Sequence, residues 1–154
     1  MSLRNMLDPE LDYDVSECHI LVDFDRTLAT YSDWQGREYT GDPITLMVHR
    51  VRSWLAQGIR VKIFTARVAW DDKDIVNQQT AVIQDWCVKH IGQKLEVTCV
   101  KNCYAMEIWD DRAVPVTPNT GVAPYIPPHC MEYHGTQKAD PVRDTVGDAP
   151  GVVR

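Results

Sequence analysis

The sequence predicts an α/β protein built on a Rossmann-like, doubly wound parallel sheet. Short apolar runs typical of buried strands alternate with segments whose apolar residues recur about every 3.6 positions, and two of the runs end abruptly in carboxylates. Such an alternation implies right-handed crossovers, which give a parallel sheet covered by helices on both faces. Ligands of these sheets collect at the carboxyl ends of the strands.

Four apolar runs are the predicted strands. They cover residues 19–25, 61–65, 95–100 and 106–109. The first run places Asp23 and Asp25 at its end, which is typical of a buried parallel strand whose carboxyl end meets solvent. The second closes on the polar Thr65, and the fourth is followed by Asp110 and Asp111.

Two segments between these strands have helical periodicity. The first begins at Ile44, with Asp42 placed to cap the helix and Pro43 in its first turn. The second opens with the acidic residues 71–74 and is stopped by Gly92. We therefore expect one helix after the first strand and another after the second.

Composition favours one globular domain. The chain has 154 residues, and 16 basic against 22 acidic residues give a net charge of −6. This balance argues against broad, nonspecific attraction to nucleic acid or anionic membrane. The first 18 residues lack the apolar run of a secretory signal, and no stretch approaches the roughly 18 apolar residues of a membrane-spanning helix. We expect a soluble, cytoplasmic protein.

Three regions are expected along the chain. Residues 1–17 form an N-terminal extension, residues 18–120 the globular domain, and residues 121–154 an irregular, partly flexible tail. The tail holds five of the nine prolines and four of the eight glycines, without sustained periodicity. The five cysteines are odd in number and widely spaced, which favours reduced, mostly buried thiols over a disulfide framework.

Polar residues that follow the predicted strands are expected to converge at one edge of the sheet, although they are far apart in the sequence. These are Asp23, Asp25, Thr27, Thr65, Lys101, Asp110 and Asp111. Four carboxylates at one edge repel one another, so their simultaneous ionisation needs a compensating cation. Oxygen ligands at this density suit Mg²⁺.

The same set of residues suits chemistry at phosphorus. The hydroxyl of Thr65 and the ammonium of Lys101 have the properties needed to hold phosphate oxygens. An aspartate at a strand end can attack phosphorus in line, and a carboxylic acid two residues further on can protonate the leaving oxygen.

Four motifs in register resemble those of the haloacid dehalogenase (HAD) superfamily of phosphotransferases. The first is Asp23-Phe-Asp-Arg-Thr-Leu after an apolar strand, and the second is Phe64-Thr-Ala-Arg. Lys101 in Cys-Val-Lys-Asn is similar to the third, and Ile108-Trp-Asp-Asp-Arg-Ala is similar to the fourth. The match spans residues 20–116. The resemblance implies a HAD-like three-layer α/β/α sandwich and phosphatase activity.

Catalytic roles are implied by this resemblance, residue by residue. Asp23 would be the nucleophile that forms an aspartyl-phosphate, and Asp25 would act first as general acid and then as general base. Thr65 and Lys101 would hold the phosphoryl group. Thr27 would support the loop rather than touch the substrate.

The resemblance also implies a Mg²⁺ site and exposes one departure from the family. Asp23, Asp110 and the backbone carbonyl of Asp25 would ligate the metal, with Asp111 acting directly or through water. The commonest family form has glycine after the second aspartate, whereas this chain has Arg26. The loop must therefore accept a side chain, and Arg26 would bring an extra cation close to the substrate.

The substrate-selecting cap of the family is nearly absent from this sequence. The segment between the first two motifs is largely taken up by the predicted helix and strand, so no lid domain fits. The open site would be covered either by a large substrate or by a neighbouring subunit of a homo-oligomer.

The Phe-Thr-Ala-Arg and Asp-Asp-Arg forms, together with the minimal cap, are similar to the phosphatase domain of polynucleotide kinases. That resemblance implies nucleotides or the 3′-phosphate ends of nucleic acids as substrates. Trp34 and Trp70 follow the first and second strands, where an indole can stack on a base, and Arg67 can reach a phosphate. Local packing is the more frequent role of tryptophans in such positions, and Arg67 is equally compatible with a structural ion pair.

A second function stays open from the sequence. Receiver-like domains and degenerate members of the HAD superfamily also combine acidic residues, threonine and lysine on a parallel sheet, and they bind Mg²⁺ and phosphate without turnover. Asp25 discriminates between the two, because a stable phosphoprotein needs no second carboxylate to protonate a leaving group. Thr65 has a purely structural alternative as a helix cap.

Overall fold

The computed structural model describes residues 14–128, which fall into two compact units that meet in the chain between Asp110 and Asp111. The first unit holds the sheet and both α-helices. Its elements are β1 (His19–Val22), α1 (Thr45–Ala56), β2 (Arg60–Phe64), α2 (Lys73–His90), β3 (Glu96–Thr98) and β4 (Ala105–Trp109), with single 3₁₀ turns at Val15–Glu17 and Ala66–Val68.

All strand pairs in the sheet are parallel, and the strand order is β3-β2-β1-β4. The prediction of an α/β protein with a parallel sheet is confirmed. Every residue of β1 is buried, and successive side chains of a strand point to opposite faces. Both faces of this central strand are therefore covered.

The strands that follow β1 in the chain lie on both sides of it in the sheet. From β1 it proceeds outward through β2 to β3, and it then returns to place β4 on the opposite side of β1. Val22, at the end of β1, is in register with Ile63 on one side and with Trp109 on the other. The carboxyl end of β1 is thus a topological switch point, the usual place for a ligand in an open α/β sheet.

Helix α1 begins later than its sequence predicts. Its N-cap is Ile44, which makes no side-chain capping hydrogen bond, so the expectation that Asp42 caps this helix is wrong. The carbonyl of Asp42 instead accepts a hydrogen bond from the Thr30 amide at 2.8 Å, and Pro43 forms a β-bridge with Ala29. This pairing keeps the chain extended up to the helix.

Helix α2 follows the prediction closely. The Asp72 carboxylate caps it by accepting hydrogen bonds from the amides of Asp74 and Ile75, at 2.9 and 3.3 Å. Beyond its end, Gly92 takes a positive φ of 106°, the left-handed conformation that glycine adopts readily. Burial on the inner side of this helix raises the pKa of the Cys87 thiol to about 12, which keeps the thiol protonated.

The core lies between β1, β2 and the two helices. The ring of Phe24 meets that of Trp86 edge to face, with centroids 5.1 Å apart. Trp54 of α1 and Trp109 of β4 pack against each other at 5.2 Å on the margin of the core. Apolar burial of this kind is the main stabilising contribution in a domain of this size.

The cysteines differ from expectation. Cys87 is buried and Cys18 half-buried, and neither forms a disulfide. Cys99 and Cys103 are exposed, so the expectation of mostly buried thiols is wrong for these two. Both follow β3 in the connection to β4, where the chain runs over the surface.

The second unit, as far as residue 128, contains turns and extended chain. The amide of Thr117 donates to the carbonyl of Val122 at 2.8 Å, and Gly121 inside this turn has a φ of 74°. Most of the predicted tail, residues 129–154, lies outside the described residues, as do residues 1–13 of the predicted extension. Between residues 14 and 128, no helix has the length and apolar character needed to cross a membrane.

We expect Asp72→Ala to lower the free energy of unfolding by about 1 kcal/mol, because two amides in the first turn of α2 lose their acceptor. Urea denaturation would measure this. The matched control is Asp71→Ala, an exposed aspartate one position earlier, which should change stability by less than about 0.5 kcal/mol. Equal losses in both variants would contradict the assignment of the cap.

Candidate functional site

Two aspartates meet at the switch point because of the strand register. Asp23 follows Val22 and Asp110 follows Trp109, and these two preceding residues are register partners. The Asp23 amide continues the pairing by donating to the carbonyl of Trp109 at 2.8 Å. Asp23 and Asp110 offer carboxylate oxygens within 4.8 Å of each other, and both side chains are half-buried. Two like charges are thereby held close together.

This pair of carboxylates has the donor chemistry of a magnesium site. Mg²⁺ prefers oxygen ligands at about 2.0–2.1 Å, so two oxygens on the same ion lie at most about 4.2 Å apart. The carboxylate oxygens of Asp23 and Asp110, which lie within 4.8 Å of each other, are close to that separation. Mutual repulsion of the two carboxylates favours a cation between them. The residues present therefore fit the predicted metal.

The loop after β1 is a tight turn, with Arg26 at its tip. The amides of Leu28 and Ala29 both donate to the Phe24 carbonyl, at 3.0 and 2.8 Å, and the Arg26 amide donates to the Ala29 carbonyl at 2.7 Å. Arg26 has a φ of 66°, which is the left-handed region that glycine prefers. The loop therefore accepts a side chain at a position whose backbone conformation favours glycine, and it does so with strain.

Thr27 contacts the predicted nucleophile. Its hydroxyl donates to Oδ2 of Asp23 at 3.2 Å. This contact restrains the Asp23 carboxylate, and the loop-supporting role expected for Thr27 stays a prediction.

Thr65 lies directly after β2, at the same edge of the sheet. It is buried, and its amide extends the strand pairing by donating to the Thr98 carbonyl at 2.9 Å. Its hydroxyl oxygen accepts from the Arg67 amide at 3.2 Å, so the residue does cap the short 3₁₀ turn. A hydroxyl that accepts through its oxygen still has a proton to donate, so the capping contact leaves a phosphate-binding role open.

Asp25 and Arg67 form an ion pair at the carboxyl end of the sheet. Nε and Nη2 of Arg67 donate to the two carboxylate oxygens of Asp25 at 2.7 and 2.6 Å, a bidentate arrangement. Nη1 of Arg67 donates to the Tyr39 carbonyl at 2.9 Å, and the guanidinium lies 5.4 Å from the centre of the Phe24 ring. The side chain of Arg67, predicted to reach substrate phosphate, is thus engaged with the protein itself.

The remaining predicted residues occupy three places. Lys101 is exposed in the connection between β3 and β4, so its contact with a phosphoryl group stays a prediction. Asp111 is half-buried and is the first residue of the second unit. Trp34 and Trp70, which follow β1 and β2, both line one cavity of about 210 Å³ together with Asp25.

The cavity also involves residues that sequence reasoning missed. Tyr31, Arg37 and Gln79 contribute to its walls. Gln79 is almost completely buried, and its side-chain amide donates to the Arg37 carbonyl at 2.7 Å. A buried glutamine on the apolar side of α2, four residues before Ile83, is the one signal that could have indicated a loop packed on this helix.

Compared with known proteins, the chain matches no family model, no curated protein and no solved structure.

We expect the backbone strain at Arg26 to be measurable by comparing two variants. Arg26→Gly and Arg26→Ala both remove the side-chain contacts, but only glycine relieves the positive φ. The free energy of unfolding of the glycine variant should therefore be about 1 kcal/mol higher than that of the alanine variant. Urea denaturation of both would measure the difference, and an alanine variant as stable as the glycine variant would contradict the strained turn.

Proposed function

We propose that this protein is a Mg²⁺-dependent phosphomonoester hydrolase of the HAD type, working through an aspartyl-phosphate at Asp23. The proposal includes the finer architecture implied by the motifs, a three-layer α/β/α sandwich. The observation that carries it is the approach of the Asp23 and Asp110 carboxylates to within 4.8 Å at the switch point of a parallel sheet.

In this proposal Asp23 and Asp110 hold the metal, and the backbone carbonyl of Asp25 completes these protein ligands. When bound, Mg²⁺ supplies charge neutralisation for the phosphate and for the carboxylates around it. All of these ligands are oxygens, as this cation prefers.

The first half of the reaction transfers the phosphoryl group to Asp23. A carboxylate oxygen of Asp23, oriented by the Thr27 hydroxyl, attacks phosphorus while the bond from phosphorus to the ester oxygen breaks. The Thr65 hydroxyl and the Lys101 ammonium donate to the phosphoryl oxygens. Protonated Asp25 gives its proton to the leaving alkoxide, which departs as the alcohol.

The second half regenerates the enzyme. Asp25, now a carboxylate, takes a proton from water as the water oxygen attacks phosphorus and the acyl-phosphate bond to Asp23 breaks. Arg67 holds both oxygens of this carboxylate in place, at 2.7 and 2.6 Å. Because a guanidinium can only donate hydrogen bonds, this pair suits the basic form of Asp25. For Asp25 to carry a proton, at least one of the two hydrogen bonds from Arg67 must break.

That same ion pair favours a second candidate function. If Arg67 never releases Asp25, the domain would bind Mg²⁺ and phosphate without turnover, as receiver-like or degenerate domains do. The two functions differ in the fate of phosphorylated Asp23, since an enzyme hydrolyses it and a receiver-like domain retains it.

Asp25→Asn is expected to separate the two half-reactions. With p-nitrophenyl phosphate, whose leaving group needs no proton, the variant should still form the aspartyl-phosphate but hydrolyse it about 10²- to 10⁴-fold more slowly. Acid quench of the reaction with ³²P-labelled substrate would show a burst of product and a protein-bound label. With an alkyl phosphate, the first step should also be slowed.

The controls fix the interpretation of that experiment. Asp23→Asn should take up no label, and Asp85→Asn, an exposed aspartate on α2, should behave as the unaltered protein. Unaltered protein that retains label from acetyl phosphate without releasing inorganic phosphate would overturn the hydrolase in favour of the receiver-like function. Circular dichroism of each variant would verify that it is folded.

The substrate proposed from the motifs is a phosphorylated small molecule, a nucleotide, or the 3′-phosphate end of a nucleic acid. Arg26, exposed at the tip of the β1 loop, is proposed as an additional cation for it. We also propose that a second copy of the chain covers the open site.

A further inference from the structure

The cavity of about 210 Å³ beside Asp25 has the character of a small binding site. It is smaller than the roughly 300–1,000 Å³ of pockets that enclose a drug-sized ligand. It has room for one ring system and not for several nucleotides. Its exposed lining is mostly apolar, with Tyr31, Trp34 and Trp70 among the aromatic residues. The polar residues of the lining are Asp25, Arg37, Arg67 and Gln79.

Both tryptophans are left largely exposed. Trp34 is 65% exposed and Trp70 is 57% exposed, although they come from different loops. A single exposed apolar residue is ordinary, but apolar groups gathered on one surface mark binding sites. Indole rings offer flat faces on which another aromatic ring can stack.

The wall that carries Trp34 and Arg37 is fixed before any ligand arrives. Buried Gln79 donates to the Arg37 carbonyl at 2.7 Å, and Arg67 donates to the Tyr39 carbonyl at 2.9 Å. Further along, Trp86 Nε1 donates to the Gly41 carbonyl at 2.9 Å. Three side chains of the domain therefore hold the backbone of this loop in place. Because the loop is already ordered, ligand binding costs little further conformational entropy there.

The position of Asp25 determines which part of a substrate this cavity receives. Asp25 lines the cavity, and in the proposed mechanism it protonates the oxygen of the departing alcohol. A general acid must lie within hydrogen-bond reach of that oxygen. The carbon skeleton attached to the oxygen then lies on the Asp25 side of phosphorus, next to Trp34 and Trp70.

We propose that this cavity binds the leaving group of the substrate, and that the substrate is a small phosphomonoester whose alcohol carries a planar aromatic or heteroaromatic ring. The inference rests on the proposed hydrolase function. The ring stacks on the indoles of Trp34 and Trp70. Arg37 provides hydrogen-bond donors to acceptor atoms at the edge of the ring, which favours a nucleobase over a plain phenyl group.

Steady-state hydrolysis of three phosphomonoesters would test this. Adenosine 5′-monophosphate carries a heteroaromatic ring, phenyl phosphate a plain ring, and ribose 5-phosphate none. We expect KM for the adenosine compound to be roughly tenfold lower than for ribose 5-phosphate. Trp34→Ala and Trp70→Ala should each remove most of this difference, while Trp34→Phe should retain it. Phenyl phosphate shows whether the site needs a nucleobase or accepts any aromatic ring. If its KM is as low as that of the nucleotide, the site binds aryl groups in general.

The exposed Leu46 of α1, which is not among the residues lining the cavity, supplies a matched control. Leu46→Ala should leave all three KM values unchanged. Equal KM values for the three esters, or a preference for the ring that survives both tryptophan-to-alanine substitutions, would overturn the proposal.

Binding measured without turnover keeps the two proposals separate. Adenosine, which has no phosphate to lose, should quench the tryptophan fluorescence of Asp23→Asn, and this quenching should weaken in Asp23→Asn/Trp34→Ala. Quenching by adenosine without hydrolysis of any ester would support the ring site and refute the hydrolase. Hydrolysis without any preference for a ring would refute the site and leave the hydrolase standing.

Discussion

The site depends on the parallel pairing of β1 with β4. Because Val22 and Trp109 are in register, the residues that follow them are both delivered to the same point, and both are aspartates. Hydrogen bonding between the strands thus holds two negative charges within 4.8 Å of each other. Two like charges this close repel each other, and a divalent cation bound between them would offset that repulsion.

Arg67 links the proposed chemistry to the proposed specificity. One guanidinium contacts Asp25 after β1, the Phe24 ring beneath it and the Tyr39 carbonyl in the loop that carries Trp34. Asp25, the proposed acid-base residue, and the wall of the cavity therefore share Arg67 as a partner.

Sequence patterns predicted the strands and helices because periodicity and abrupt polar ends are local signals. They also predicted that Asp23, Thr65 and Asp110 gather at one edge, since the carboxyl ends of parallel strands meet there. The cap of α1 was missed because Asp42 pairs with Thr30, a contact between segments that no helix-start signal encodes. The sequence indicates only part of the cavity, because Trp34 and Trp70 are recognisable as aromatic residues in loops. Arg37 and Gln79 line the cavity only because a loop folds back onto α2, and no local pattern encodes that contact.

The most direct measurement of the central claim is a calorimetric titration of the protein with Mg²⁺. We expect one ion per chain, with Asp23→Asn and Asp110→Asn each weakening the affinity about tenfold or more, and with Asp85→Asn matching the unaltered protein. Binding that neither of the first two substitutions changes, or no binding at all, would contradict the account.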